Sequence, residues 1–269
     1  MSLGDPPPEP PPAGLFADAT GDPDDRPVVF LHGIAAAGWM WWRQLPALPG
    51  HFRLTVDLPG HGRSRDIPWV SLADTAEWVA ALIRERTTTG RAHIVGLSLG
   101  GHVALALLEH IPSVVDHAVI SGVTAAPWPA RLLAGPQAWL TTTMLRSHRL
   151  LDAQARALSL PPSVHAEFAA GVRAVRPRTY RRIVQEVAAY RAPASLGTPG
   201  TPTLVLAGAN ETEAIRRAVR SLPAAMPVAE GRIAPHAGHG WNVDQPDLFN
   251  ETMRAWLTDS PLPAALGRI

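Results

Sequence analysis

Residues 92 to 101 read Ala-His-Ile-Val-Gly-Leu-Ser-Leu-Gly-Gly, and the serine at their centre is the residue of this chain best placed to do chemistry. An apolar run, Ile94-Val95, enters Gly96-Leu97-Ser98-Leu99-Gly100, and an alanine-rich helical pattern, Val103 to Leu108, leaves it. A G-x-S-x-G step between a strand and a helix is the setting in which a serine hydroxyl becomes a nucleophile. A strand that turns sharply into a helix crowds its own corner, so small residues are wanted at 96 and 100, and the serine at the apex is pushed outward. The backbone N–H of Leu99, at the helix start, has no intrahelical acceptor and points the same way. A negative oxygen forming beside Ser98 would meet a donor already in place. The same five residues can also be a glycine-rich turn with a solvated serine; the strand before and the helix after favour the nucleophile.

The elements that must hold this turn follow from the apolar pattern. Val28 to Leu31 is fully apolar, as expected of a strand buried on both faces. Further strands are predicted at 52–57, 92–95, 118–120 and 203–206, with a weaker one at 228–233 and a short one at 14–19 ended by turn residues 21–25. Amphipathic helices are predicted at 71–86, 99–109, 212–221 and 246–257. Alternation of strand and helix predicts an α/β chain with a mostly parallel, doubly wound sheet. The alternation breaks between residues 125 and 194, which read as helical and rich in Ala, Leu, Arg and Pro. Residues 1–13 are proline-rich and are expected to be a disordered or extended tail.

Composition narrows the chemistry. Hydrophobic residues make up 46% of the chain, enough for one large core with or without a small cap. The formal net charge is +1 and the charges are scattered, so neither nucleic acid nor an anionic membrane is an expected partner. All 24 basic residues are arginine, which excludes lysine Schiff-base chemistry. The chain has no cysteine, which excludes disulfides, thiolate nucleophiles and cysteine metal sites. The N-terminus shows neither a basic n-region nor an apolar h-region, and no run approaches a membrane span, so a cytoplasmic location is expected.

With the Gly96–Gly100 step in its strand–helix setting, the chain resembles the α/β-hydrolase family. The resemblance covers about residues 26–122 and 200–258, and hardly touches the span between them. It implies a triad in the order Ser, Asp or Glu, His. Gly238-His239, just past the last predicted strand, matches the place of the family's histidine, with His236 the nearest competitor. An imidazole there would take the Ser98 proton and return it to the leaving group. No third ligand cluster accompanies these two histidines, so a metal pair is not expected. The family commonly places an aspartate three residues after the glycine that ends the next-to-last strand; here the slot after Gly208 holds Glu211. Glutamate is an accepted triad member. Glu213 is the fallback, and both glutamates also suit the first turn of the following helix.

The same resemblance gives His32-Gly33-Ile34 as the family's His-Gly pair, with the Ile34 N–H as second oxyanion donor and His32 as a structural hydrogen-bonder. Asp57 to Ser64 matches a further family signature, read as a rigid turn in which Asp57 caps backbone N–H groups. His61 is then a loop histidine, and His102 is expected to be packed rather than reactive. Residues 125–194 correspond to the helical cap, dividing the chain into a tail (1–13), a core (14–124 and 195–269) and a cap that would exclude water and shape the pocket. The bland reading of that span is a simple extension of the core.

Tryptophan is abundant around these motifs. Trp39, nearest the oxyanion loop, and Trp128, in the inserted span, are candidate pocket walls, with core packing the alternative for both and for Trp139. Trp42 is expected in the core, and Trp241 is expected to brace the histidine loop. Together they point to an apolar acyl or alcohol group. The reading is a serine hydrolase that cleaves a carboxylic ester or related acyl compound through Ser98, His239 and Glu211, needing no cofactor and no metal. Its partner is a small apolar substrate, and its state a monomer or homodimer. The alternatives are a carbon–carbon bond or thioester hydrolase, a lactone-directed enzyme, a non-hydrolytic cyclase or lyase of a natural-product pathway, and a ligand-binding protein with idle catalysis.

Overall fold

Alternate residues of the central strands face opposite ways, and here both directions are apolar. In a computed structural model describing residues 14–128, 147–157, 162, 165–194, 196 and 200–269, the first three strands are β1 (Ala17–Thr20), β2 (Arg26–Leu31) and β3 (His51–Val56). They are followed by helix α1 (Leu72–Arg86), β4 (Ala92–Leu97), α2 (Leu99–His110) and β5 (Val115–Ser121). Val29 and Leu31 pack with Val79 and Ile83 of α1 and Val103 and Leu107 of α2. Val28 and Phe30, one residue out of step, pack on the other face with Trp41 and, from the end of the chain, Phe249 and Met253. Burial on both faces is why these strands read as unbroken apolar runs.

The second half completes the sheet. β6 (Thr203–Gly208) leads into α6 (Glu213–Ala225) and β7 (Ala229–Ala234); α6 packs against both strands, within the same apolar cluster as α1 and α2. The short helix α7 (Trp241–Asp244), α8 (Pro246–Leu257) and β8 (Gly267–Arg268) close the chain. Among the described residues the sheet has eight strands in the order β1-β3-β2-β4-β5-β6-β7-β8. The pairs from β3 through β7 are parallel; only β1 with β3 and β7 with β8 are antiparallel. β8 and α7 are absent from the sequence reading. α6 also runs past the predicted end at Ser221, through Pro223 to Ala225.

The span between β5 and β6 contains α3 (His148–Ala157), α4 (His165–Ala174) and α5 (Pro177–Ala189). The segments that enter and leave it are tied together: Trp128 N–H donates to the Ala188 carbonyl (2.9 Å) and Ala192 N–H to the Ala125 carbonyl (3.0 Å). Its described part lies over the loops at the carboxyl ends of β2 and β3, with Ile34 against the Val175–Tyr180 cluster and Thr179 against Gly60. Glu186 of α5 accepts the Leu72 N–H at 2.7 Å and the Trp69 indole N–H at 2.8 Å, a cap on the start of α1 from outside its own sequence. Burial pushes the Glu186 pKa up against those hydrogen bonds. No helix among the described residues is long and apolar enough to cross a membrane. The expected tail, residues 1–13, and Trp139 lie outside the described residues.

The tryptophan pattern departs from expectation at one point. Gly38–Trp41 is a 3₁₀ turn, with three residues per turn rather than 3.6. This phase buries Trp41 completely between Phe30 and Phe249, while Trp42 is 48% exposed under the Arg43 guanidinium. Trp42 is therefore a surface residue, and Trp41 holds the core position expected for it.

Candidate active site

Ser98 sits between β4 and α2 with φ 56° and ψ −111°, outside the ordinary range of a side-chain-bearing residue. What holds it there is crowding and hydrogen bonding. A Cβ at Gly96 would lie 2.5 Å from the Gly100 carbonyl oxygen, and one at Gly100 would lie 2.0 Å from that of Leu31, so strand and helix could not close on this turn with larger residues. Ser98 N–H donates to the Ser121 carbonyl at 2.8 Å, and Gly100 N–H to the His32 carbonyl at 2.9 Å. The nucleophile candidate is thus pinned to the ends of β5 and β2.

His239 arrives from the loop after β7. Its Nδ1 lies 3.0 and 3.1 Å from the two carboxylate oxygens of Glu211. The Glu211 side chain is 3% exposed and that of His239 22% exposed. A carboxylate on this side of the ring favours the tautomer with the proton on Nδ1, which leaves Nε2 as the basic nitrogen. The two loops are stitched together, for Asn210 N–H donates to the Ala237 carbonyl at 2.9 Å. Gly122, at φ 70°, lies against the ring: a Cβ there would meet His239 Cε1 at 2.8 Å and Glu211 Oε1 at 3.4 Å. Ser98, Glu211 and His239 therefore lie at the carboxyl ends of β4, β6 and β7, strands of one parallel run with β5 between the first two, where open α/β sheets bind ligands.

Two residues further on, Glu213 is turned to solvent, with Arg216 at 2.9 Å, Arg217 at 3.2 Å and Arg220 at 3.3 Å. Hydrogen bonds from Arg216 and Arg217 hold its carboxyl below the usual range. It is engaged there and does not reach the histidine. Arg216 also donates to the carbonyls of Glu211 and Ala209, and so clamps the loop that carries the buried glutamate. Sequence reasoning missed this role of Arg216, because an arginine on an amphipathic helix carries no signal of which carbonyls it reaches.

The neighbouring loop supplies donors. Ala36 N–H donates to the Gly33 carbonyl (3.2 Å), and Ala35 sits at φ 63°, so residues 33–36 form a tight turn. A Cβ on Gly33 would touch that of Ser98 at 3.5 Å, which puts this turn beside the serine. Among the described residues neither the Ile34 nor the Leu99 N–H has a protein acceptor. His32 is buried, with Nδ1 donating to the Gly33 carbonyl (2.8 Å) and Nε2 accepting the Leu58 N–H (2.9 Å). Burial lowers its pKa to about 4, and lowers that of its neighbour His61 to about 3. Asp57 accepts the N–H groups of Gly38 (2.7 Å) and Arg63 (2.8 Å). His102 is buried and donates from Nδ1 to the Ser98 carbonyl at 3.0 Å; burial lowers its pKa to about 4.

The tryptophans divide. Trp39 packs against the cluster around Phe30 and Trp41, and Trp128 is 36% exposed at the stem of the inserted span. Trp241 is fully buried and donates to Ser121 Oγ at 2.9 Å, joining the histidine loop to the end of β5. His236, at φ 56°, is the strained corner of that loop; it is His239 whose ring meets the buried carboxylate.

Comparison with known proteins agrees with this fold. The family described as "Alpha/beta hydrolase family" is matched over residues 28–252. An AB hydrolase superfamily protein of Gibberella zeae is 38% identical over 103 residues, spanning 38% of this chain and 36% of that protein. A pimeloyl-[acyl-carrier protein] methyl ester esterase of Nitrosomonas europaea is 27% identical over 263 residues, covering 88% of this chain and 97% of that protein. The crystal structure of a hydrolase from Pseudomonas aeruginosa superposes with a TM-score of 0.75 at 26% identity, covering 90% of this chain and 94% of the other. From residue 28 to residue 252, the chain belongs to the alpha/beta hydrolase family.

Proposed function

We propose that this protein is a serine hydrolase that cleaves a carboxylic ester, or a related acyl compound, bearing an apolar group. The observation that carries the reading is the buried Glu211 carboxylate 3.0 Å from His239 Nδ1, at the same sheet edge as the strained Ser98 turn. The esterase named among the relatives supports an ester as the substrate class. Ser98 Oγ attacks the carbonyl carbon while His239 Nε2 takes its proton, and Glu211 stabilises the imidazolium. The N–H groups of Ile34 and Leu99 receive the oxyanion. The imidazolium gives its proton to the leaving alcohol; water, activated by the same ring, then releases the acyl group from Ser98.

Residues 125–194 act in this reading as a cap that keeps bulk water from the site. Ile34, Val175 and Val184 give the oxyanion side an apolar wall, consistent with an apolar acyl or alcohol group. The test is labelling with a fluorophosphonate together with turnover of a p-nitrophenyl ester series. Labelling at Ser98 and preference for apolar acyl chains are expected. Folded protein that is neither labelled nor active on any ester would overturn the reading and favour a binding protein with idle catalysis.

A further inference from the structure

α4 carries a glycine in its interior, Gly171, where helix propensity disfavours it by about 0.5–1 kcal/mol relative to alanine. Its surroundings account for the choice. A Cβ at this position would stand 2.1 Å from the carbonyl oxygen of Ala35 and 3.1 Å from its carbonyl carbon. The helix therefore presses backbone against backbone onto the turn that carries Ile34, proposed above as an oxyanion donor. Ala35 is held through its side chain as well. Its side chain is buried among Leu151 and Ala155 of α3 and Phe168, Ala169 and Val172 of α4, and its φ of 63° is one an alanine rarely adopts. Strain of this kind persists where the surroundings over-determine the backbone. Here those surroundings belong to the cap and not to the core.

We infer that the cap helix α4 is the seat of the oxyanion loop, with Gly171 a positioning residue that sets where the Ile34 N–H points. Cap placement and oxyanion stabilisation are thereby one mechanical unit: a displacement of α4 from Ala35 moves a donor at the reacting carbonyl. The inference rests on the hydrolase reading above, with Ile34 as the donor.

The experiment compares Gly171→Ala with Ile183→Ala, a cavity variant in α5 whose side chain belongs to the core cluster and not to the cluster around Ala35. An alkyl trifluoromethyl ketone serves as the probe of the oxyanion. Ser98 oxygen adds to its carbon, the carbonyl pair moves onto oxygen, and the serine proton passes to His239. Gly171→Ala is expected to lower kcat for p-nitrophenyl butyrate about 10–100-fold and to weaken the ketone by a similar factor, with KM changed less than about threefold. Ile183→Ala is expected to lower Tm and to leave both values within about threefold. A folded Gly171→Ala protein with unchanged kcat and ketone affinity overturns the inference, as does an equal loss in Ile183→Ala. Should Gly171→Ala not fold, Ala35→Gly, which suits the φ and removes only the buried methyl, must weaken the ketone about 3–10-fold; no change overturns the inference. The Ile34 amide resonance, read by NMR without ligand, is expected to shift in Gly171→Ala and to stay in place in Ile183→Ala. An unmoved resonance overturns the seat even if Ser98 proves inert, whereas loss of ester turnover alone strikes the hydrolase reading.

Discussion

The two ends of the parallel sheet both gather histidines, and they treat them in opposite ways. At the carboxyl ends, His239 keeps one ring nitrogen on a buried carboxylate while its side chain remains 22% exposed. At the amino ends, His93 on β4 is buried with neither ring nitrogen hydrogen-bonded, and its ring meets that of His117 at 5.0 Å between centroids. His117 reaches Asp259 through Nε2 at 3.2 Å, but its buried Nδ1 has no partner. Burial, and next the charge of His117, lower the His93 pKa to about 4, so that ring stays neutral at physiological pH. The difference lies in what faces the two nitrogens. One nitrogen of the His239 ring meets a buried carboxylate while the side chain stays partly exposed; burial leaves both nitrogens of His93 without a partner.

The sharpest way to break this comparison is at the carboxyl ends. Ser98→Ala should lower ester turnover by about 10⁴-fold or more with the circular dichroism spectrum unchanged; near-normal turnover by folded protein would remove the mechanism. Glu211→Gln keeps the shape and removes the charge, and should lower kcat by about 10²–10⁴-fold. Glu213→Gln, only two residues away, should stay within about twofold. If the second of these glutamate variants is the damaging one, the buried glutamate is not the triad acid.

At the other end the effects are smaller and concern stability. His93→Leu removes two unsatisfied buried nitrogens and should raise Tm at pH 7 by about 2–4 °C, the shift that about 1 kcal/mol makes in a chain of this size. Ester turnover should not change. A fall of several degrees would mean that the ring has partners.

The acid limb gives the finest test. Because the folded pKa of His93 is below its unfolded value of about 6.5, the unfolded chain binds the extra proton between roughly pH 4 and 6.5. The stability from burying the neutral ring is complete above that window and is lost as pH falls through it. Wild type should therefore lose about 1 kcal/mol per pH unit more than His93→Leu between pH 6 and 4.5, measured by urea unfolding. Equal slopes would show that His93 takes up its proton alike in both states.

Much of this was legible one residue at a time. The apolar runs at 28–31 and 203–206 announce strands covered on both faces, because period-two burial leaves no polar position. The small residues at 96 and 100 announce a crowded turn, and that turn is what holds Ser98 at positive φ. Asp57 within its turn signature was readable as a cap for backbone N–H groups. Other features had no local signal. Trp41 and Trp42 exchange roles because a 3₁₀ turn changes the angular step between neighbours, and nothing in the tryptophan run itself distinguishes that turn from an α-helix. The capping of α1 by Glu186 joins residues 114 positions apart.

The chain by itself determines the alternation of strands and helices, the serine at its crowded turn and the candidates for its partners, since backbone sterics and apolar periodicity act over a few residues. Tertiary structure decides which candidates meet. It buries Glu211 beside His239 and turns Glu213 toward three arginines, a choice that two residues of separation along the chain cannot express. It also sets a glycine of the inserted helix against the carbonyl of Ala35. Those contacts depend on how distant loops pack in three dimensions, and no local pattern encodes that packing.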